Sequence, residues 1–162
     1  ITKSINLMSL CLVLQISFIY SVNSQEYQSD IEIIQEAFGL EKKLAVSNFM
    51  QLDEDAEQFW TLYDEYEYKR KNLGKQRVDL INDYIGKFST ITDEQIQGMV
   101  KKTSKLKREF NKLQNSYFKI MSKEVGVKKA TQFLQMENYF NAIIQAEIYS
   151  RIPFIGENLE QN

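Results

Sequence analysis

The sequence predicts an all-α protein of four helices, two of which form a long antiparallel hairpin. The 162 residues contain one proline and six scattered glycines, so few positions interrupt a helix. Apolar side chains recur at helical spacing over long stretches. The connection between the second and third helices, near 87–91, is short, so these two helices must run antiparallel.

Residues 1–24 have the features of a signal peptide. Lys3 supplies a short positive region, residues 5–20 are apolar, and small or short side chains follow at 22–24. We expect cleavage near Ser24–Gln25, export to the periplasm, and one helical domain over residues 25–162. An uncleaved membrane anchor is the alternative.

Composition excludes several classes of function. Cys11 is the only cysteine and lies within the apolar region, and the chain has no histidine. The mature chain therefore has no disulfide, no thiol chemistry and no imidazole ligand, and we expect neither a metal nor a cofactor. A net charge of −2 gives no general attraction for nucleic acid. A glycine-rich phosphate loop is missing, which argues against nucleotide cycling.

The first predicted helix runs from about Asp30 to Phe49, with apolar residues such as Ile34 and Phe38 on one side. The second starts after Asp53, an expected N-cap, and continues to about residue 86. The acidic residues that follow Asp53 suit the positive end of the helix dipole.

The third helix opens with TDEQ, in which Thr92 and Gln95 form a capping box. A heptad seam then predicts coiled-coil-like packing against a neighbouring helix. The fourth helix runs over 127–151 and stops before Pro153. Two helices of about 30 residues would each extend about 45 Å, which favours an extended hairpin or a homodimer. The seam comprises Ile96, Thr103, Phe110 and Tyr117, interleaved with Met99, Leu106, Leu113 and Ile120.

The aromatic stretch 59–68 of the second helix divides between two faces of a helical wheel. Most of its aromatic residues fall on the predicted packed face. Trp60 lies at the margin of that face and Tyr68 nearly opposite it, so both are candidates for contact with a partner. The packed face comprises Phe59, Tyr63, Tyr66, Leu73, Leu80, Ile81, Tyr84 and Phe88.

Charged residues also fall within the apolar faces. Arg70 and Arg77 lie in the packed stripe of the second helix, and Glu137 and Glu147 lie on or near the inner face of the fourth. Because a lone buried charge is unstable, we expect ion pairs between helices, with a polar ligand cleft as the alternative. No nucleophile or metal set accompanies these carboxylates, so we expect no enzyme activity.

Basic residues dominate the middle of the predicted hairpin. Residues 69–77 hold five bases and no acid, and the hairpin places them beside about 102–110. On the third helix the bases opposite the seam face outward. They form either a solvated face or a basic belt that attracts acidic segments of unfolded chains, a partner protein or, more weakly, anionic lipid heads. The outward bases are Lys101, Lys105, Arg108 and Lys112.

Three segments resemble the family of small exported helical proteins that includes Spy and CpxP, known by its LTxxQ motif. They are FMQLDEDAEQFWTLYDEYEYKR at 49–70, ITDEQI at 91–96 and VGVKKATQFLQMENYFNAIIQAEIYSRIPFI at 125–155. The resemblance implies a helical-hairpin protein that dimerises into a cradle and binds unfolded proteins without nucleotide.

These features together predict an ATP-independent holdase or envelope-stress adaptor of the periplasm. The predicted contact residues are Trp60, Tyr68 and the four outward bases of the third helix. A dedicated regulatory partner of one membrane sensor or anti-sigma protein is the second hypothesis. A structural coiled-coil spacer is the third.

Overall fold

The computed structural model describes residues 41–52 and 56–157, and these residues are almost entirely helical, without a strand. The all-α prediction is confirmed. The chain divides into two compact units, Ile1–Leu52 and Asp53–Asn162.

In the first unit, residues 41–50 form helix α1. Lys42, Val46 and Met50 are buried. Their spacing of four residues places them on one face of α1, as expected for an amphipathic helix. The remainder of the first predicted helix, 30–40, lies outside the described residues.

Helix α2 spans Glu57–Lys87 in the second unit. Its N-cap is Ala56, which supplies no side-chain hydrogen bond. The helix therefore begins later than the sequence predicts, and Asp53, the expected N-cap, lies outside the described residues. At its other end α2 passes into a 3₁₀ turn over Phe88–Thr90, close to the predicted loop.

Helix α3 spans Asp93–Glu124 and begins with the predicted capping box. The backbone N–H of Gln95 donates to the Thr92 hydroxyl at 3.3 Å, and the Thr92 N–H donates to the Gln95 side-chain oxygen at 2.9 Å. Two backbone amides that the helix cannot satisfy thus gain acceptors, which fixes the start of α3.

Helix α4 spans Val127–Arg151, as predicted. Gly126 precedes it with a positive φ of 90°, a conformation that suits glycine at the sharp turn out of α3. The helix ends just before Pro153, which cannot continue it.

The helices α2 and α3 form the predicted antiparallel hairpin. The ring of Tyr66 contacts that of Tyr117, whereas Arg77, later on α2, contacts Phe110, earlier on α3. Helix α4 packs along α3 and also reaches α2 through side chains.

An aromatic cluster forms the centre of this unit. The ring of Phe133 on α4 meets Phe59, Tyr63 and Tyr66 of α2 edge to face, with centroids 5.0–6.1 Å apart. These three aromatic residues of the predicted packed face are buried, while its later members from Leu73 to Phe88 are half-buried. The α2 stripe is thus closed at one end of the hairpin and more open toward the tip.

The heptad seam of α3 follows the same gradient. Its central residues Leu106, Phe110 and Tyr117 are buried, and Met99 nearer the tip is half-buried. Ile120 is 41% exposed, so the seam prediction is wrong there. Met121 is the buried residue of that turn instead, because a straight helix drifts from a strict seven-residue repeat.

Candidate functional site

Arg70 is buried, but its carboxylate partner lies on its own helix. Its guanidinium binds Glu67, three residues earlier, with hydrogen bonds of 2.9 Å and an ion-pair distance of 2.8 Å. Burial lowers the pKa of Arg70, while the charge and hydrogen bonds of Glu67 and the charge of Glu137 raise it more. The net shift is upward, so Arg70 stays charged.

Glu137 on α4 is buried and accepts a hydrogen bond of 2.6 Å from the Tyr66 hydroxyl of α2. The connection between α2 and α4 at this level is therefore a phenol–carboxylate hydrogen bond. The carboxylate of Glu137 also acts electrostatically on Arg70, which gives three polar side chains a shared site inside the bundle. The rings of Tyr117 and Phe133 pack against Tyr66 beside this site.

The expected ion pairs between helices are wrong for Arg77 and Glu147. Glu147 pairs with Arg151, four residues later on α4, at a partly exposed position. The Arg77 guanidinium lies over the Phe110 ring of α3, 4.4 Å from its centroid. Within the part of the chain that the structure describes, no carboxylate lies within ion-pair distance of Arg77. Its contact across the hairpin is a cation–π interaction.

The two aromatic candidates occupy different environments. Tyr68 is 71% exposed, as the helical wheel predicts. Trp60 is half-buried, and its ring packs edge-on against Phe59 and Tyr63. Trp60 is therefore largely part of the aromatic core, and Tyr68 is the more accessible contact residue.

The outward bases of α3 form an exposed stripe, which we call the α3 basic face: Lys101, Lys105, Arg108 and Lys112. Their spacing of four, three and four residues places them on one side of the helix. All four side chains are exposed. Among residues 41–52 and 56–157, none of them forms an ion pair. This part of the chain thus presents four exposed cations on one side of α3, none of them held in an ion pair there.

A groove of about 450 Å³ lies between α2, α3 and the end of α4, near the hairpin tip. We call it the tip groove. Its walls are mainly aliphatic and aromatic, with a few polar groups. The apolar part of the lining includes Leu80, Ile81, Met99, Ile148 and Ile152.

The chain after α4 builds one rim of this groove. The Tyr84 hydroxyl donates a 2.6 Å hydrogen bond to the Pro153 carbonyl, which fixes this segment to α2. A turn at Gly156, with φ of 92°, follows. Phe154 and Ile155 remain more than half exposed at the rim. Pro153 predicts the end of α4, and the apolar run IPFI at 152–155, which contains it, was a further signal for such a surface.

The described residues contain no cluster of carboxylates able to hold a metal ion. No helix in the same part of the chain is long and apolar enough to cross a membrane. Comparison with protein-family models, with curated proteins and with solved structures gives no match. The α3 basic face and the tip groove are the two surfaces of the described residues that we consider as candidate functional sites.

Proposed function

We propose that this protein is an exported, ATP-independent holdase that binds acidic segments of partly unfolded proteins. The observation that carries the proposal is the α3 basic face, a stripe of four exposed cations without ion-pair partners among the described residues. Export rests on residues 1–24, which lie outside the described residues.

Charge governs capture in this proposal. Four cations on one helix face produce a local positive potential in a chain whose net charge is negative. Acidic segments are attracted over about one Debye length, roughly 8 Å at physiological salt. Because each exposed ion pair contributes only about 0–1 kcal/mol, several are needed for capture and any one breaks easily. Release therefore requires no nucleotide.

Exposed apolar side chains would strengthen the contact. Val100 lies on α3 between the basic face and the tip groove and is 60% exposed, and Tyr68 on α2 is also accessible. Unfolded chains expose apolar groups along with charges, so these side chains can bind next to an acidic segment. The combination suits clients that share chemistry but not sequence.

The test is light scattering from an unrelated aggregating client, with purified residues 25–162 added at low and high salt. The proposal expects suppression that weakens as salt rises. A lack of suppression at stoichiometric excess, together with a defined complex with one envelope protein, would replace it with the dedicated-regulator hypothesis.

A further inference from the structure

The tip groove contains a cation with an unusual environment. Arg77 is half-buried, and Phe110 covers one face of its guanidinium. Within the described residues, no carboxylate or hydrogen-bond acceptor lies within reach of its N–H groups. The five N–H donors of this guanidinium lie at the inner end of an apolar groove, without an acceptor among the residues that the structure describes.

The groove is polar at one end and apolar at the other. Arg77 and Lys107 lie at the inner end, toward the middle of the hairpin. Toward the tip, the walls are formed by Tyr84, Met99 and Ile152. From Arg77 the groove follows α2 to its end at Lys87 and reaches Ile91 at the tip, a length of about 15 Å along the helix alone. An occupant should therefore have an anionic head and an apolar body.

Hydrogen-bonding groups are few along the walls of the tip groove, and this favours an aliphatic chain over a peptide as its occupant. An extended peptide brings an N–H and a C=O with every residue, and each costs free energy if buried without a partner. Besides Arg77 and Lys107, the polar side chains along the walls are Thr103, Ser104, Gln145, Tyr149 and Tyr84, and the Tyr84 hydroxyl already donates to the Pro153 carbonyl. These few groups cannot satisfy the backbone of a peptide that follows the groove. An aliphatic chain needs no such partners, so it fits these walls better than a peptide.

From this charge and shape complementarity we propose that the tip groove binds a long-chain carboxylic acid. Its carboxylate binds Arg77, and its aliphatic chain follows the groove toward the hairpin tip. The volume of about 450 Å³ lies in the range of small-molecule sites. The lining of the groove includes none of the four bases of the α3 basic face, so the proposal goes beyond the holdase function.

The electrostatics of the site agree with an anionic head group. Burial and the nearby positive charge of Arg70 lower the pKa of Arg77, and Tyr149 opposes the shift. A bound carboxylate would compensate this charge and could accept two parallel hydrogen bonds from the planar guanidinium. The Phe110 ring holds the guanidinium in place for that contact.

The experiment measures binding of oleate to delipidated residues 25–162, by displacement of a fluorescent fatty acid below its micellar concentration. Oleyl alcohol tests the need for the carboxylate, and acetate tests the need for the chain. An apolar peptide with a free C-terminal carboxylate tests the other class of occupant. We expect saturable 1:1 binding of oleate, weaker binding of the alcohol, and no binding of acetate or of the peptide.

Two variants locate the site. Arg77→Gln should weaken oleate binding about tenfold or more and leave oleyl alcohol unchanged, because a charge-assisted hydrogen bond is lost. Arg108→Gln removes an exposed cation from the same hairpin and should change the affinity for neither oleate nor oleyl alcohol. Ser104→Phe, at an exposed groove position, should weaken both ligands by narrowing the groove.

Circular dichroism must show that each variant is folded, and Ser104→Phe tests the site even if Arg77→Gln does not fold. Absence of saturable oleate binding would overturn the proposal. So would equal effects of Arg77→Gln and Arg108→Gln, or tighter binding of the peptide than of oleate.

Discussion

The Tyr66 hydroxyl on α2 donates a 2.6 Å hydrogen bond to the carboxylate of Glu137 on α4, 71 residues later in the chain. Both side chains are buried in the same unit. The bond connects the first helix of the hairpin to the helix that packs against it, beside the Phe133 ring cluster. It thus sets the register in which α4 lies along the hairpin.

Tyr66→Phe should lower the free energy of unfolding by about 1–3 kcal/mol, because the buried Glu137 carboxylate loses a hydrogen-bond donor while the ring is retained. Urea denaturation followed by circular dichroism measures the change. The control is Tyr68→Phe at an exposed position, which should stay within about 0.5 kcal/mol. Equal effects of the two substitutions would show that the hydrogen bond contributes little.

The buried phenols also predict loss of stability at alkaline pH. Burial, followed by the charges of Glu67 and Glu137, raises the pKa of Tyr63 well above its usual value. Burial and the Glu137 carboxylate do the same for Tyr66. In the unfolded chain both ionise near pH 10, whereas the folded protein retains the protons. The stability that these two protonated phenols contribute to the folded state is therefore complete below about pH 10 and is lost as pH rises further.

The alkaline loss is measured from urea midpoints between about pH 8 and 11, with phenolate absorbance recorded in parallel. Above pH 10 the slope should reach about 1.4 kcal/mol per pH unit for each buried phenol. Tyr66→Phe should reduce that slope by about half. An unchanged slope, or ionisation of all nine tyrosines before unfolding, would contradict the account.

The buried pair on α2 predicts a non-additive double substitution. Arg70→Met leaves the Glu67 carboxylate without its main partner and should cost about 3–5 kcal/mol. Adding Glu67→Met removes the isolated charge, so the double variant should be more stable than Arg70→Met. Arg151→Met, which breaks a partly exposed pair, should cost less than about 1 kcal/mol. A double variant less stable than Arg70→Met in urea denaturation would refute this interpretation.

Substitution by alanine should have opposite effects on the stability of the protein at Gly98 and at Gly126. Gly98 lies within α3 with open space around it, so Gly98→Ala should stabilise the protein by roughly 0.5–1 kcal/mol. Gly126 also has space, but its φ of 90° strains any other residue. Gly126→Ala should therefore destabilise it by roughly 1–3 kcal/mol. Thermal unfolding measures both changes in stability. Changes of the same sign would contradict the positive φ of Gly126 or the helical backbone of Gly98.

Much of the helix layout was predictable because its signals are local. The Thr92–Gln95 capping box determines where α3 begins, and Pro153 limits the end of α4. The inward position of Arg70 also followed from helical periodicity. The identity of its ion-pair partner did not follow, because the apolar faces of the helices predicted a partner on another helix, at Glu137 or Glu147. Glu67 lies one turn away and was a sufficient partner.

The tip groove could not be derived from the sequence. It depends on how far α4 extends beyond the closed aromatic cluster and on the hydrogen bond from Tyr84 to the Pro153 carbonyl. That bond joins residues 69 apart, and periodicity carries no information about such distances. The same reason explains why Arg77 was assigned an ion pair, whereas the structure places it over Phe110 at the groove.

Client light scattering with two charge-matched variants measures whether the α3 basic face captures clients. One carries Lys101→Gln, Lys105→Gln and Arg108→Gln. The other carries Lys87→Gln, Lys128→Gln and Arg151→Gln, which removes the same charge at exposed positions on α2 and α4, outside α3. The account predicts that the first variant loses most of the salt-sensitive suppression and that the second retains it. Equal suppression by both variants and the unmodified protein would contradict it.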